Sequence, residues 1–361
     1  MYSAGLIPLV VAFFVAFTIT PLTIRVAHLR GWVDKPGGRK IHRKPIPRLG
    51  GFGVFLALWA GWFLFAFLQP DRVPYEARSQ VNALFFSSTL VWFLGLYDDL
   101  KGANAWQKLI VQIVAAAFVA KAGIQVRILF NPFAGGDVFV SSDFWSWALS
   151  VGWIVFVSNA INLIDGLDGL AGGVCCITAL SIYFIARELG SPHLPFLALA
   201  VAGACAGFLF FNFSPARIFL GDGGALPLGF LLACLSLMGA TKRSTAIVMF
   251  GPPIILALPL ADSFLAIARR LLRGSMGSWT PGRILARLKE VLQADQEHIH
   301  HGLLKIGLSH RRAVILLYGV TSVLGITAYR HSVGNHLIST LVTFVVLAAA
   351  LAWLRRRAKR N

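Results

Sequence analysis

The sequence predicts an all-α polytopic membrane protein with about eleven transmembrane helices, N-terminus outside and C-terminus cytoplasmic. Three observations carry that expectation. First, hydrophobic residues make up 57% of the 361-residue chain and charged residues only 13%, where a soluble domain carries about 25% charged residues. Second, the apolar runs are close to the length of a bilayer crossing and lack the alternation of strands, so each must satisfy its own backbone as a helix. Third, Lys and Arg are placed asymmetrically along the chain.

The spans fall at about 4–28, 50–68, 81–97, 106–122, 144–164, 169–186, 193–211, 224–239, 245–267, 313–329 and 337–354. The first run has no basic segment before it and is too long for a signal-peptide core, so it reads as a retained span. No repeat or low-complexity segment divides the chain. Residues 1–354 read as one transmembrane catalytic domain, and 355–361 as a basic cytoplasmic tail. The four cysteines, Cys175, Cys176, Cys205 and Cys234, lie within apolar runs without metal-ligand spacing to a His, and read as small core residues.

Orientation follows from the basic residues. With the N-terminus outside, segments 29–49, 98–105, 165–168, 212–223, 268–312 and the tail are cytoplasmic; together with adjacent span ends they hold 25 of the 33 Lys and Arg. The net charge of +18 is therefore a topology signal, and no nucleic-acid partner is expected. The same topology gathers 10 of the 15 carboxylates at the cytoplasmic face. The positive-inside rule does not explain that gathering, and acids beside hydrocarbon are costly and usually functional.

Five segments at that face carry chemistry. Gly95–Lys101 holds the adjacent acids Asp98 and Asp99, with Lys101 and Lys108 following; such acids raise each other's pKa unless a cation is near. A cap at the start of a short helix is the simpler reading of Asp98 alone. In Asn159–Leu170, Asn159, Asn162, Asp165 and Asp168 recur every third residue, roughly on one face of a helix or helical turn. In Asn212–Gly224, Asp222 is flanked by glycines at the start of a span, where exposed N–H groups could face an anion, so the segment reads as a metal or phosphate site. In 268–312, an amphipathic stretch over Arg283–Glu297 suits a surface helix and leads into His298, Ile299, His300 and His301. A zinc site there lacks a convincing third ligand, so phosphate or sugar contact is the better reading. Finally, Asp34–Arg48 is basic and rich in Pro and Gly. It is either a positive-inside loop or a shaped loop near a lipid phosphate.

Together these segments, from about residue 30 to 312, resemble the polyprenyl-phosphate N-acetylhexosamine-1-phosphate transferases, of glycosyl transferase family 4 type. The resemblance implies transfer of a sugar phosphate, with GlcNAc-1-phosphate the default, from a UDP-sugar to undecaprenyl or another polyprenyl phosphate, initiating a cell-envelope polysaccharide. It implies Mg2+, with Mn2+ as a substitute, held by Asp222 and Asn162. Asp98 and Asp99 with Lys108 match the phosphate-handling pair and lysine, Phe219 the ring that stacks on uracil, and Asp168 the group that reads the uracil edge. His298, His300 and His301 match a sugar and pyrophosphate loop, and Asp165 belongs near the metal or nucleotide. The candidate catalytic residues are thus Asp98, Asp99 and Asp222. The substrate-binding set is Lys108, Asp165, Asp168, Asn212, Phe219, His298, His300, His301 and Arg48. Span 9 ends in a family-like segment around Asp262, without an assigned role.

The implied partners are a UDP-N-acetylsugar, the polyprenyl phosphate and the bilayer of the cell inner membrane, with a homodimer as one arrangement. The peptidoglycan branch, which transfers phospho-MurNAc-pentapeptide, usually carries three consecutive His, and Ile299 interrupts them here. A secondary transporter is the alternative from another class, but transporter sites lie near the bilayer midplane, and these acids gather at one edge.

Overall fold

The structure is a computed structural model that describes residues 3–34, 44–126, 128–131, 136–139, 142–240, 253–273, 299–334, 342–343 and 345–346. Its helices are α1 (Ile7–Arg30), α2 (Gly50–Leu68), α3 (Tyr75–Lys101), α4 (Ala105–Lys121), α5 (Asp143–Ile164), α6 (Leu170–Glu188), α7 (Leu194–Asn212), α8 (Asp222–Ala240), α9 (Ala257–Arg273), α10 (Ile299–Lys305) and α11 (His310–Gly334). Among the described residues, eight helices are long and apolar enough to cross a membrane. The fourth expected span forms as α4, of 17 residues. Of the ninth, residues 245–252 lie outside the described residues, as does most of the eleventh and all of the tail. The protein is a multi-pass, helical membrane protein.

Helix ends follow local chemistry. α1 closes on Gly31 at φ 72°, whose N–H donates to the carbonyls of Ala27 and His28. α4 opens on a capping box: the Gln107 N–H donates to the Asn104 side chain, and the Asn104 N–H to the Gln107 side chain. Asp98 therefore does not cap the start of α4. It sits in the last turn of α3 and accepts the Ala103 N–H at 2.7 Å, so α3 carries the acid pair beyond the expected end of its span.

Lipid tails give helices little hydrophobic reason to associate, so close packing decides. Gly203 and Gly207, one turn apart on α7, face the α1 backbone so closely that a Cβ on either would strike the carbonyl of Leu9 or Phe13. α8 is the axis of the bundle. Its membrane-length window is 83% buried, against 28% for α1, and it packs on α2, α3, α5, α6 and α7. Cys175, Cys205 and Cys234 are buried free thiols in this core. Phe14, Phe86, Phe93 and Phe118 face outward, as expected for lipid contact.

Two small antiparallel strand pairs lie between helices. β1 (Val33–Asp34) pairs with β2 (Ile46–Pro47), Val33 opposite Pro47 and Asp34 opposite Ile46. β3 (Ile128–Asn131) pairs with β4 (Gly136–Phe139) in the α4–α5 connection. The first pair leads straight into the α2 N-terminus, at the end of the bundle where the acids gather.

Candidate active site

The site is built where the last turn of α3 meets the first turn of α8. Glycines permit the approach. A Cβ on Gly95 would run into the Asp222 backbone, and one on Gly51 into the Gly223 backbone. The segment before α8 is clipped to the start of α2 through its main chain. Gly50 and Gly51 donate to the carbonyls of Phe219 and Leu220 at 3.0 and 2.8 Å, and Phe219 donates to Pro47 at 2.8 Å. Gly221, at φ 72°, turns the chain into α8. A side chain there would strike the Arg48 carbonyl and the Asp99 carboxylate.

Asp99 then fastens α8 at its origin. Its Oδ1 accepts the Asp222 N–H at 2.9 Å and its Oδ2 the Gly223 N–H at 2.8 Å. These are free N–H groups of a helix start, where a carboxylate is favoured by hydrogen bonding and by the helix dipole. The anion expected at the Gly-Asp-Gly segment is thus supplied from within the chain. Asp99 acts on the site through the backbone that carries Asp222.

That backbone sets the Asp222 side chain beside Lys108. The Lys108 Nζ lies 2.6 Å from Asp222 Oδ2 and 2.8 Å from Asp98 Oδ2, so one ammonium bridges two acids. Asn162 Nδ2 lies 3.4 Å from the same Asp222 oxygen. Oxygens of Asp98, Asp99 and Asp222 fall within 4.8 Å of one another. Both Asp99 oxygens are engaged by N–H groups, however, which leaves Asp222 as the acid turned toward Asn162. A carboxylate oxygen beside an amide, whose own oxygen can be turned inward by a side-chain flip, is a donor set that fits a hard cation such as Mg2+.

The Asn159–Asp168 series begins on α5 and continues into the turn that follows it. Asn159 Nδ2 donates to Gln112 Oε1 at 2.5 Å, one turn deeper than Asn162 and Lys108. The helix ends at Ile164, so Asp165 and Asp168 belong to a turn. Asp168 Oδ2 accepts the Ala216 N–H at 3.0 Å, tying that turn to the segment after α7. Asn212 is buried, and its amide donates to the Ile218 carbonyl at 2.9 Å, bracing the same segment. Arg48 pairs with Asp34 at 2.9 Å across the β1–β2 pair. His298 lies outside the described residues, and His300 and His301 are placed only as backbone positions on α10.

Asp165 is partly buried near Asp222, Asp168, the Gly221 N–H and Arg48. Burial pushes its carboxyl up to about 7, and the charges of Asp222 and Asp168 push the same way, against the Gly221 N–H and Arg48. Between the ordinary value of 3.8 and about 7, the folded protein therefore holds a proton that the unfolded chain releases. This group's contribution to stability falls as pH rises through that window. In detergent without divalent cations, Asp165→Asn should lose part of the drop in melting temperature between pH 5 and pH 8. An unaltered pH dependence would contradict the raised Asp165 carboxyl.

Two parts of this arrangement escape the motifs. Gln112 stands one helical turn after Lys108 in an apolar span; that i, i+4 spacing was its signal. The Asp99 clamp has no sequence signal beyond the glycines at 95, 221 and 223 that make room for it.

Comparison with known proteins points one way. Residues 81–240 match the family model described as glycosyl transferase family 4. The chain is 34% identical over 352 residues, 96% of its length and 91% of the relative's, to a probable undecaprenyl-phosphate N-acetylglucosaminyl 1-phosphate transferase of Bacillus subtilis (strain 168). It is 32% identical over 333 residues, 87% of its length and 79% of the relative's, to a decaprenyl-phosphate N-acetylglucosaminephosphotransferase of Mycobacterium tuberculosis (strain CDC 1551 / Oshkosh). A phospho-N-acetylmuramoyl-pentapeptide-transferase of Lactiplantibacillus plantarum is 29% identical over 283 residues, covering 74% of this chain and 84% of the relative.

Proposed function

Because the chain belongs to the polyprenyl-phosphate N-acetylglucosamine-1-phosphate transferases of glycosyl transferase family 4, we propose that it moves GlcNAc-1-phosphate from UDP-GlcNAc to undecaprenyl or another polyprenyl phosphate, releasing UMP. The reaction is Mg2+-dependent and takes place at the cytoplasmic face of the inner membrane. The observation that carries this reading is the Asp98–Lys108–Asp222 bridge beside Asn162, at a bundle edge where a water-soluble nucleotide sugar and a lipid phosphate can meet.

Asp222 and Asn162 are the residues that would hold Mg2+, whose bound charge offsets that of the pyrophosphate. The protein's own groups account for the rest. Lys108 is aimed by Asp98 and Asp222, and turns its N–H donors to the phosphate oxygens as these enter. The lipid phosphate is mostly dianionic near pH 7, since its second pKa is about 6, so its oxygen attacks the β-phosphorus without needing a base. A new P–O bond forms to the lipid phosphate, the bridging P–O bond breaks, and UMP leaves with the bridging oxygen. Asp98 sets the lysine and takes up any residual proton. Asp165 and Asp168 line the nucleotide pocket, Phe219 stacks on the base, and the 298–301 histidines contact the sugar and pyrophosphate.

The test is UDP-GlcNAc radiolabelled at the β-phosphate. The label should pass to the polyprenyl lipid and leave UMP unlabelled. Label retained on the protein when lipid is withheld would overturn the direct displacement. The peptidoglycan precursor is the weaker substrate, given the interrupted histidine run.

A further inference from the structure

Tyr318 lies outside every motif above, 149 residues along the chain from the group it touches. Its hydroxyl donates to the Gly169 carbonyl at 2.5 Å, the last residue before α6. That carbonyl also receives the Gly173 N–H at 2.9 Å. Gly169 is at φ 82°, and a Cβ there would press on Phe213 and on the Tyr318 hydroxyl. A Cβ on Gly173 would collide with the Tyr318 ring outright. Two glycines thus make room for one phenol, at the point where the 165–169 turn meets the 213–217 segment. Asp168 and Ala216 bond the same two segments together.

The same helix holds the second segment as well. Arg311 Nε donates to the Ser214 carbonyl at 2.7 Å. Arg311, Tyr318 and Gly325 are spaced by seven, so two helical turns separate each from the next on one face. At Gly325 that face runs against the Ser181 side chain of α6. α11 therefore lies along α6 as a strut, with the Arg311 and Tyr318 contacts toward its site end.

We infer that Tyr318 is a positioning residue for the nucleotide pocket, holding the Asp165–Asp168 turn in register with the segment that carries Phe219. The inference rests on the nucleotide-sugar reading above. One hydrogen bond of this kind corresponds to about a three- to tenfold effect, and it should fall on nucleotide affinity.

The experiment compares Tyr318→Phe with the parent protein, purified in detergent with Mg2+, by UMP calorimetry and steady-state kinetics. The expected result is a rise of about three- to tenfold in both the Kd for UMP and the KM for UDP-GlcNAc. The kcat and the KM for polyprenyl phosphate should stay near parent values. Gly173→Ala, which displaces the ring by another route, should reproduce that pattern, and the double variant should be no worse than Gly173→Ala. Unchanged nucleotide affinity in Tyr318→Phe overturns the inference, as does a loss confined to kcat or to the lipid KM. A parent protein that neither binds UMP nor turns over UDP-GlcNAc is a separate result, visible without any variant. It overturns the nucleotide-sugar reading and the inference with it.

Discussion

Asp222→Ala should abolish UMP release, lowering turnover by about a thousandfold or more, while the protein remains a monodisperse membrane bundle in detergent. The size of the effect follows from what the side chain meets. Asp222 bonds Lys108 at 2.6 Å and lies against Asn162. Removing it deprives the proposed cation site of its carboxylate and leaves Lys108 with Asp98. Losing a single preorganised electrostatic group costs about a hundred- to a thousandfold in rate, and here the lysine loses its aim as well. The fold should survive, because the α8 start is held by main-chain N–H groups on Asp99, which the substitution keeps. Size-exclusion behaviour and UMP release on the same preparation check both halves. Turnover near that of the parent would reject the assigned site.

Asp99→Asn should also bring UMP release to background, by a different route. An amide has one oxygen where the carboxylate has two, and its NH2 would face one of the N–H donors of Asp222 and Gly223. A hydrogen bond becomes a donor–donor clash at the first turn of α8, and Asp222 is carried off line. Loss of a helix N-cap costs about 0.5–2 kcal/mol, so melting should fall by a few degrees along with activity. That pairing distinguishes a positioning role from direct proton transfer. A residue that only moved a proton would lose activity with melting unchanged and with an altered pH profile.

Why was Asp99 legible as functional but not as a clamp? Sequence spacing shows two acids at a membrane edge, but not which donors each one meets. Asp98 and Asp99 are neighbours in a helix and so point about 100° apart. One reaches Lys108 and the other the α8 backbone. Only the approach of α3 to α8, set by Gly95 and the Gly221 turn, decides which does which. The helices themselves were legible because hydrocarbon leaves the backbone no alternative. The third-residue spacing of Asn159 and Asn162 held for as long as α5 did. At Asp165 the chain leaves the helix for a turn, whose Asp165 N–H donates to the Asn162 carbonyl at 3.3 Å and keeps Asp165 near the charge of Asp222. Tyr318 was illegible for a plainer reason: nothing near it in sequence is polar enough to mark it, and its partner lies in another part of the chain.

The most direct test of the account is a panel of UDP-sugars offered to the purified protein with Mg2+ and polyprenyl phosphate, reading UMP and lipid product together. UDP-GlcNAc should yield UMP and lipid-linked GlcNAc pyrophosphate in equal amounts, and withholding either lipid or Mg2+ should stop both. UMP release without a lipid product, or turnover of the MurNAc-pentapeptide nucleotide in preference to UDP-GlcNAc, would contradict it.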